Sequence, residues 1–96
     1  MAGPIYKVAM FKSTEAMYRL SDEERQALLG KVMAAMEKYG GRSVLLCDSS
    51  WSSEQWPWFV VEEWPDLEAL QKYTQALQEL NWSRYSECMT VLGTKR

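Results

Sequence analysis

The order of apolar and polar segments in this sequence predicts an α+β domain, a four-stranded antiparallel sheet with two helices on one face. Three observations predict this class. Apolar, β-prone runs lie at both ends and in the middle of the chain, two stretches carry apolar residues at helical spacing, and a short polar turn separates the two middle runs. No linker divides the 96 residues, so we expect a single domain over residues 1–96.

The first strand is expected over residues 5–12, and the first long helix over residues 22–39. The helix begins with a capping box, in which the side chains of Ser21 and Glu24 each accept from the other's backbone amide. It ends at Gly40–Gly41, because glycine readily adopts the left-handed conformation that follows helices. Its apolar stripe comprises Leu28, Val32, Ala35, Met36 and Tyr39, widened by Leu29 and Met33.

The middle of the chain predicts an antiparallel hairpin. Residues 43–51 and 56–64 are the two strands, and the polar residues 52–55 form the turn between them. Pro65 ends the hairpin, and Asp66 is the expected N-cap of the second helix.

The second helix carries an apolar stripe of Leu70, Tyr73, Leu77 and Leu80. The pattern fades at Asn81, with Trp82 and Tyr85 on a helical extension, and residues 87–94 form the last strand. The resulting order is β-α-β-β-α-β. Two right-handed crossovers in this order give the ferredoxin-like fold, a four-stranded antiparallel sheet with both helices on one face.

Both faces of this sheet are expected to be buried, because the strands do not alternate between polar and apolar residues. In the first strand Ile5, Ala9 and Phe11 share one parity, while Tyr6, Val8 and Met10 share the other. Packing against the same face of a second copy buries the open side most simply, so we expect a homodimer. The alternative is a monomer with an exposed apolar patch.

Composition excludes several kinds of site and partner. The chain has no histidine and only two separate cysteines, so histidine-based catalysis, histidine-ligated haem and tetrahedral zinc sites are excluded, and we expect no metal or cofactor. The net charge of -2 argues against nucleic acid or an anionic membrane as a partner. Because residues 1–4 lack a signal-peptide pattern and no apolar run is long enough to span a membrane, we expect a cytoplasmic protein.

Glu62 is the first candidate for chemistry. It shares strand parity with Trp58, Val60 and Trp64, so it is expected to be a carboxylate among aromatic walls and a candidate general acid or base. The alternative is a carboxylate at the end of a strand that forms an ion pair with a lysine or arginine.

Aromatic side chains are the candidates for holding a ligand, because each combines a flat apolar face with one hydrogen-bond donor. Tyr73 is the second catalytic candidate, beside Glu62. The candidate ligand-binding residues are Trp58, Trp64, Trp82, Tyr85 and the strand-end carboxylate Asp48. The alternative for each aromatic residue is packing in the core or in the dimer interface.

Residues 62–70 resemble the junction between the third strand and the second helix in the dimeric α+β barrel superfamily, notably its antibiotic-biosynthesis-monooxygenase-like proteins. The shared features are Glu62, Trp64, Asp66 and the helix start Glu68-Ala69-Leu70. The resemblance implies paired ferredoxin-like protomers that form a barrel, with ligand cavities between sheet and helices. Many members carry a histidine where this chain has Tyr73, which disfavours the cyclase and haem branches.

Two functional hypotheses follow. The first is a homodimer that binds a small hydrophobic or aromatic molecule and acts as a cofactor-independent monooxygenase-like or isomerase-like enzyme. Here Tyr73 and Trp64 position the substrate, and Glu62 handles a proton. The alternative is a non-catalytic ligand-binding or accessory dimer, which is consistent with the absence of a nucleophile or metal constellation. A cavity lined by Glu62 or Tyr73 favours the first hypothesis, and a filled core favours the second.

Overall fold

The structure is a computed structural model that describes residues 3–96, so Met1 and Ala2, the start of the segment expected to lack a signal-peptide pattern, lie outside it. Its elements are β1 (Ile5–Ser13), α1 (Glu15–Tyr18), α2 (Asp22–Lys38), β2 (Arg42–Asp48), β3 (Trp58–Trp64), α3 (Leu67–Glu79), α4 (Trp82–Tyr85) and β4 (Ser86–Thr94). The strands form one antiparallel sheet in the order β2-β3-β1-β4. The predicted ferredoxin-like fold class is therefore confirmed.

Local sequence signals set both ends of α2. The Ser21 hydroxyl accepts from the Glu24 amide at 3.1 Å, and Glu24 Oε1 accepts from the Ser21 amide at 2.9 Å, which confirms the capping box. At the other end Gly40 has a φ of 78°, and the Gly41 amide donates to the Met36 carbonyl at 3.0 Å. This is a Schellman motif, in which glycine carries the left-handed residue.

The hairpin loop is longer than the sequence suggested, since β2 ends at Asp48 and β3 begins at Trp58. The Ser49 amide donates to the Pro57 carbonyl at 2.8 Å and closes the loop there. The Asp48 carboxylate accepts from the Ser50 amide at 2.9 Å, which turns the chain out of the strand. Trp51, predicted to lie in a strand, consequently lies in this loop with 86% of its surface exposed.

The core is small. Its buried apolar residues are Ala9, Met17, Trp64, Leu70 and Tyr73, and α2 contributes no buried side chain. The cluster of Trp64, Leu70 and Tyr73 lies between the sheet and α3, with Val32 and Met36 of α2 packed against its edge. Because so little is enclosed, the described chain is thin, 42 × 31 × 17 Å, and leaves much apolar surface for other contacts.

Gly41 is the backbone position that this core constrains most. A Cβ atom built there lies 2.5 Å from ring atoms of Trp64, so Gly41→Ala forces the indole or the β2 backbone to move. We expect it to lower the free energy of unfolding by about 1–3 kcal/mol, as overpacking does, measured by urea denaturation.

Gly30→Ala is the matched control for this prediction. A Cβ atom at Gly30 meets nothing within 4 Å, and the residue lies inside α2. This variant should gain about 0.5–1 kcal/mol from helix propensity. Equal stabilities of the two variants would contradict the packing argument.

Candidate functional site

Glu62 forms a buried ion pair on the face of the sheet that the helices cover. Register places Lys7 of β1 opposite Glu62 of β3, with Lys7 Nζ 3.5 Å from Glu62 Oε1. The same oxygen accepts a hydrogen bond of 3.0 Å from Trp64 Nε1. The two charged side chains are only 13% and 7% exposed. One carboxylate oxygen is therefore held between an ammonium group and an indole N–H.

Tyr73 of α3 closes this cluster from the helix side. Its ring centroid lies 4.5 Å from that of Trp64, and Lys7 Nζ lies 5.3 Å from its centre, within cation–π range. Burial raises the pKa of Tyr73 far above its usual value, and the charge of Glu62 raises it further. At neutral pH this side chain is a phenol, which can donate a hydrogen bond but cannot serve as a phenolate base.

The Tyr73 side chain supplies the polar atom that the helix side adds to this cluster. The residue is only 3% exposed, and no hydrogen bond joins its hydroxyl to another residue in 3–96. Together the cluster offers a carboxylate, an ammonium group and a phenolic donor beside aromatic surface, a set that can bind a polar oxygen and move a proton.

Sequence reasoning brought Glu62, Trp64 and Tyr73 forward but passed over Lys7. The signal was present, because Lys7 shares strand parity with Ile5 and Ala9, the apolar residues that face the helices. A charged side chain on such a parity needs a buried partner of opposite charge.

The other candidate residues lie away from this cluster. Trp58 is on the same face of β3, but it is four residues from Glu62, about 13 Å along the strand, and 41% exposed. Asp48 is exposed at the end of β2, where hydrogen bonds from Ser50 lower its pKa. Trp82 and Tyr85 lie on α4, which is linked to the start of α1 by a bond of 2.6 Å from Thr14 Oγ1 to the Arg84 carbonyl.

Two open surface depressions occur elsewhere. One, of about 520 Å³, lies on the open face between β1 and β4, and the other, of about 380 Å³, lies between the end of α2 and the start of α3. Neither is lined by Glu62 or Tyr73. Residues 3–96 contain no group of three side chains suited to holding a metal ion, and no helix in that range is long and apolar enough to cross a membrane.

Several solved structures share this fold. The chain resembles a chlorite dismutase variant from Candidatus Nitrospira defluvii (TM-score 0.75, 14% identity, 99% of this chain and 41% of that one). It also resembles SnoaB, a cofactor-independent oxygenase from Streptomyces nogalater, with a TM-score of 0.60 and 14% identity over 99% of this chain and 95% of that one. A haem-binding protein from Thermus thermophilus is similar with a TM-score of 0.65 and 16% identity over 97% of this chain and 40% of that one. The chain thus spans about two fifths of the chlorite dismutase. At these identities the likeness establishes the fold.

No protein-family model matches the sequence, and no curated protein matches it significantly. The resemblance to the dimeric α+β barrel superfamily is confirmed at the level of fold. Haem does not fit the donor set in a histidine-ligated form, since the chain contains no histidine.

Removing one member of the buried ion pair should be costly. Lys7→Met leaves the Glu62 carboxylate buried without its counter-ion, so we expect a loss of about 3–5 kcal/mol in urea denaturation. Adding Glu62→Gln removes that charge while keeping an acceptor for Trp64 Nε1, and should restore on the order of 2 kcal/mol.

Lys12→Met serves as the control, because the Lys12–Glu87 pair is exposed (40% and 59%) and should be worth less than about 1 kcal/mol. If Lys7→Met costs no more than Lys12→Met, the cluster is not the desolvated pair described above.

Proposed function

We propose that this chain acts as a homodimer that binds a small hydrophobic or aromatic molecule, and that the protomers pair through their open sheet faces. The observation that carries the proposal is the composition of that face, the side of the sheet turned away from α2 and α3. Midway along the strands this face is apolar and exposed, with Val8, Leu45, Met89 and Val91 each between 37% and 60% accessible. A patch of this kind on a chain with so small a core favours association.

Polar pairs border the apolar centre at both ends. At one end Arg42 Nε lies 2.7 Å from Glu63 Oε1, and the Tyr6 hydroxyl donates to Glu63 Oε2 at 2.9 Å. The Tyr6 hydrogen bond, followed by that from Arg42, lowers the pKa of Glu63. At the other end Lys12 and Glu87 lie 3.2 Å apart. An apolar centre with a polar rim is the anatomy of a protein–protein interface.

The ligand is proposed to bind on the opposite face, beside the buried ion pair. On this face Leu46 and Leu92 of the outer strands β2 and β4 remain 63% and 47% exposed, and Trp58, farther along β3, remains 41% exposed. These side chains give an apolar ligand its contact surface. The Tyr73 hydroxyl donates a hydrogen bond to an oxygen of the ligand, and the Glu62 carboxylate accepts a proton from the ligand. SnoaB, of nearly the same length, performs cofactor-independent oxygenation, which supports this class of chemistry.

A non-catalytic ligand-binding or accessory dimer is the second candidate, and one observation favours it. Glu62, Trp64 and Tyr73 are at most 5% exposed, and neither depression described above reaches them. Under this hypothesis the cluster is a packed core, and the exposed apolar surface binds only other proteins.

Dimerisation through the open face should be abolished by a charge at its centre. Val91→Lys places an ammonium group at a position 60% exposed in the protomer, so the fold tolerates it while the interface does not. Light scattering should show a dimer for the native chain at micromolar concentration and a monomer for the variant.

Met33→Lys is the control for the dimer prediction. Its position on α2 is 69% exposed and lies off the open face, so the variant should remain dimeric. A native chain that is monomeric at micromolar concentration would refute the homodimer.

Anthrone, a polycyclic aromatic with an acidic C–H bond, is a suitable probe of the ligand site. We expect it to quench tryptophan fluorescence and to be consumed with oxygen uptake in the absence of added cofactor. Glu62→Gln should lower that oxygen uptake about 100-fold or more while leaving binding largely intact.

Full turnover by Glu62→Gln would exclude Glu62 from the mechanism. Binding of anthrone without oxygen uptake would favour a non-catalytic ligand-binding dimer. If anthrone does not bind at all, the result would favour a non-catalytic accessory dimer.

A further inference from the structure

We propose that Trp51 of each protomer inserts into the depression beside the partner's Gly93, and that this reciprocal contact sets the angle at which the two sheets cross. The inference rests on the proposed homodimer and adds its anchor residue. It joins an exposed tryptophan and a hollow that lies on the open face.

Trp51 is presented by a loop that its own hydrogen bonds hold in place. Ser49 Oγ donates to the Trp56 carbonyl at 2.6 Å, the Ser53 amide donates to the Ser49 carbonyl at 2.9 Å, and the Trp56 amide donates to Ser53 Oγ at 2.9 Å. The indole at the tip is 86% exposed. A large aromatic side chain on a pre-organised loop loses little entropy on docking, which is the property of an interface anchor.

The depression has the size and lining to receive that indole. Its volume is about 520 Å³, and Tyr6, Val8, Val91, Gly93 and Lys95 are among the residues that line it. Gly93 creates part of the space, since a Cβ atom built there meets nothing within 4 Å. The walls are apolar and the rim carries an ammonium group. Inserting an indole buries about 150–250 Å² of side chain that one protomer alone leaves in water.

The two features lie at diagonally opposite corners of the sheet. The loop follows Asp48 on the edge strand β2, whereas Gly93 lies near the far end of the other edge strand, β4, where it pairs with Tyr6. A two-fold axis between stacked sheets, running along the other diagonal, exchanges these corners and makes the contact twice. The strands of the two copies then cross steeply, as in orthogonal sheet packing.

The charges at the two corners that meet are complementary. The loop corner carries Asp48 and Glu54, and the Gly93 corner is followed along the chain by Lys95 and Arg96. Placing the loop of one copy over the Gly93 corner of the other therefore brings opposite charges together. An axis parallel to the strands would instead place the loop over the start of β4, where Glu87 lies.

Two variants test the contact from its two sides. Trp51→Ala removes the anchor, and Gly93→Leu fills the depression from a position whose Cβ atom meets nothing within 4 Å in the protomer. Each should raise the dimer dissociation constant about 30-fold or more in sedimentation equilibrium, as loss of a central aromatic anchor does. Circular dichroism should show that both variants keep the native fold.

Gly30→Leu is the matched control, because its Cβ atom also meets nothing within 4 Å but lies on α2. It should leave the dissociation constant unchanged. A monomeric native chain would refute the homodimer itself. A native dimer that either Trp51→Ala or Gly93→Leu leaves equally tight would overturn the insertion while keeping the homodimer.

Discussion

The packing of Trp64 against Gly41 is the contact on which the rest of the core depends. Trp64 is fully enclosed, and its ring occupies the space that a Cβ atom of residue 41 would take. The indole N–H holds Glu62, and the ring face holds Tyr73. One side chain thus links the end of α2, the end of β3, the position of α3 and a buried carboxylate. In a core this small, a shift of that ring changes all four together.

The buried ion pair beside Trp64 contributes less to the free energy of folding than the apolar contacts around it. Taking Lys7 and Glu62 out of water costs about as much as their attraction returns, so an apolar pair of similar size would stabilise the fold as well or better. The pair therefore explains little of the stability, although losing either member alone is expensive. What it does provide is a fixed carboxylate paired with a fixed ammonium group that lies over the Tyr73 ring. That arrangement is why we place the ligand at this edge of the core.

The features that the sequence predicted well are those set by near neighbours. The caps at Ser21 and Asp66 and the glycine end of α2 depend on residues within a few positions, and all are present. The features it missed depend on distant partners. The end of β2 follows from a bond between Ser49 and Pro57, and the importance of Lys7 follows from the register of β1 against β3. Leu29 and Met33, expected to widen the buried stripe of α2, are 41% and 69% exposed because the helix meets the core only along its Val32–Tyr39 edge.

Strand β1 joins the two surfaces that matter for the proposed function. Its successive residues alternate sides, so Lys7 enters the ion pair while Tyr6 and Val8 line the open face. In the proposed dimer, packing a second copy against Tyr6 and Val8 would restrain the backbone that also positions the Lys7 ammonium group. A ligand that needs Lys7 and Glu62 in place would then bind a protomer already ordered by its partner, and would lose less entropy in doing so. By thermodynamic reciprocity, the same ligand would tighten the proposed dimer. Because residues of β1 alternate between the two faces, this one strand would couple dimerisation to ligand binding.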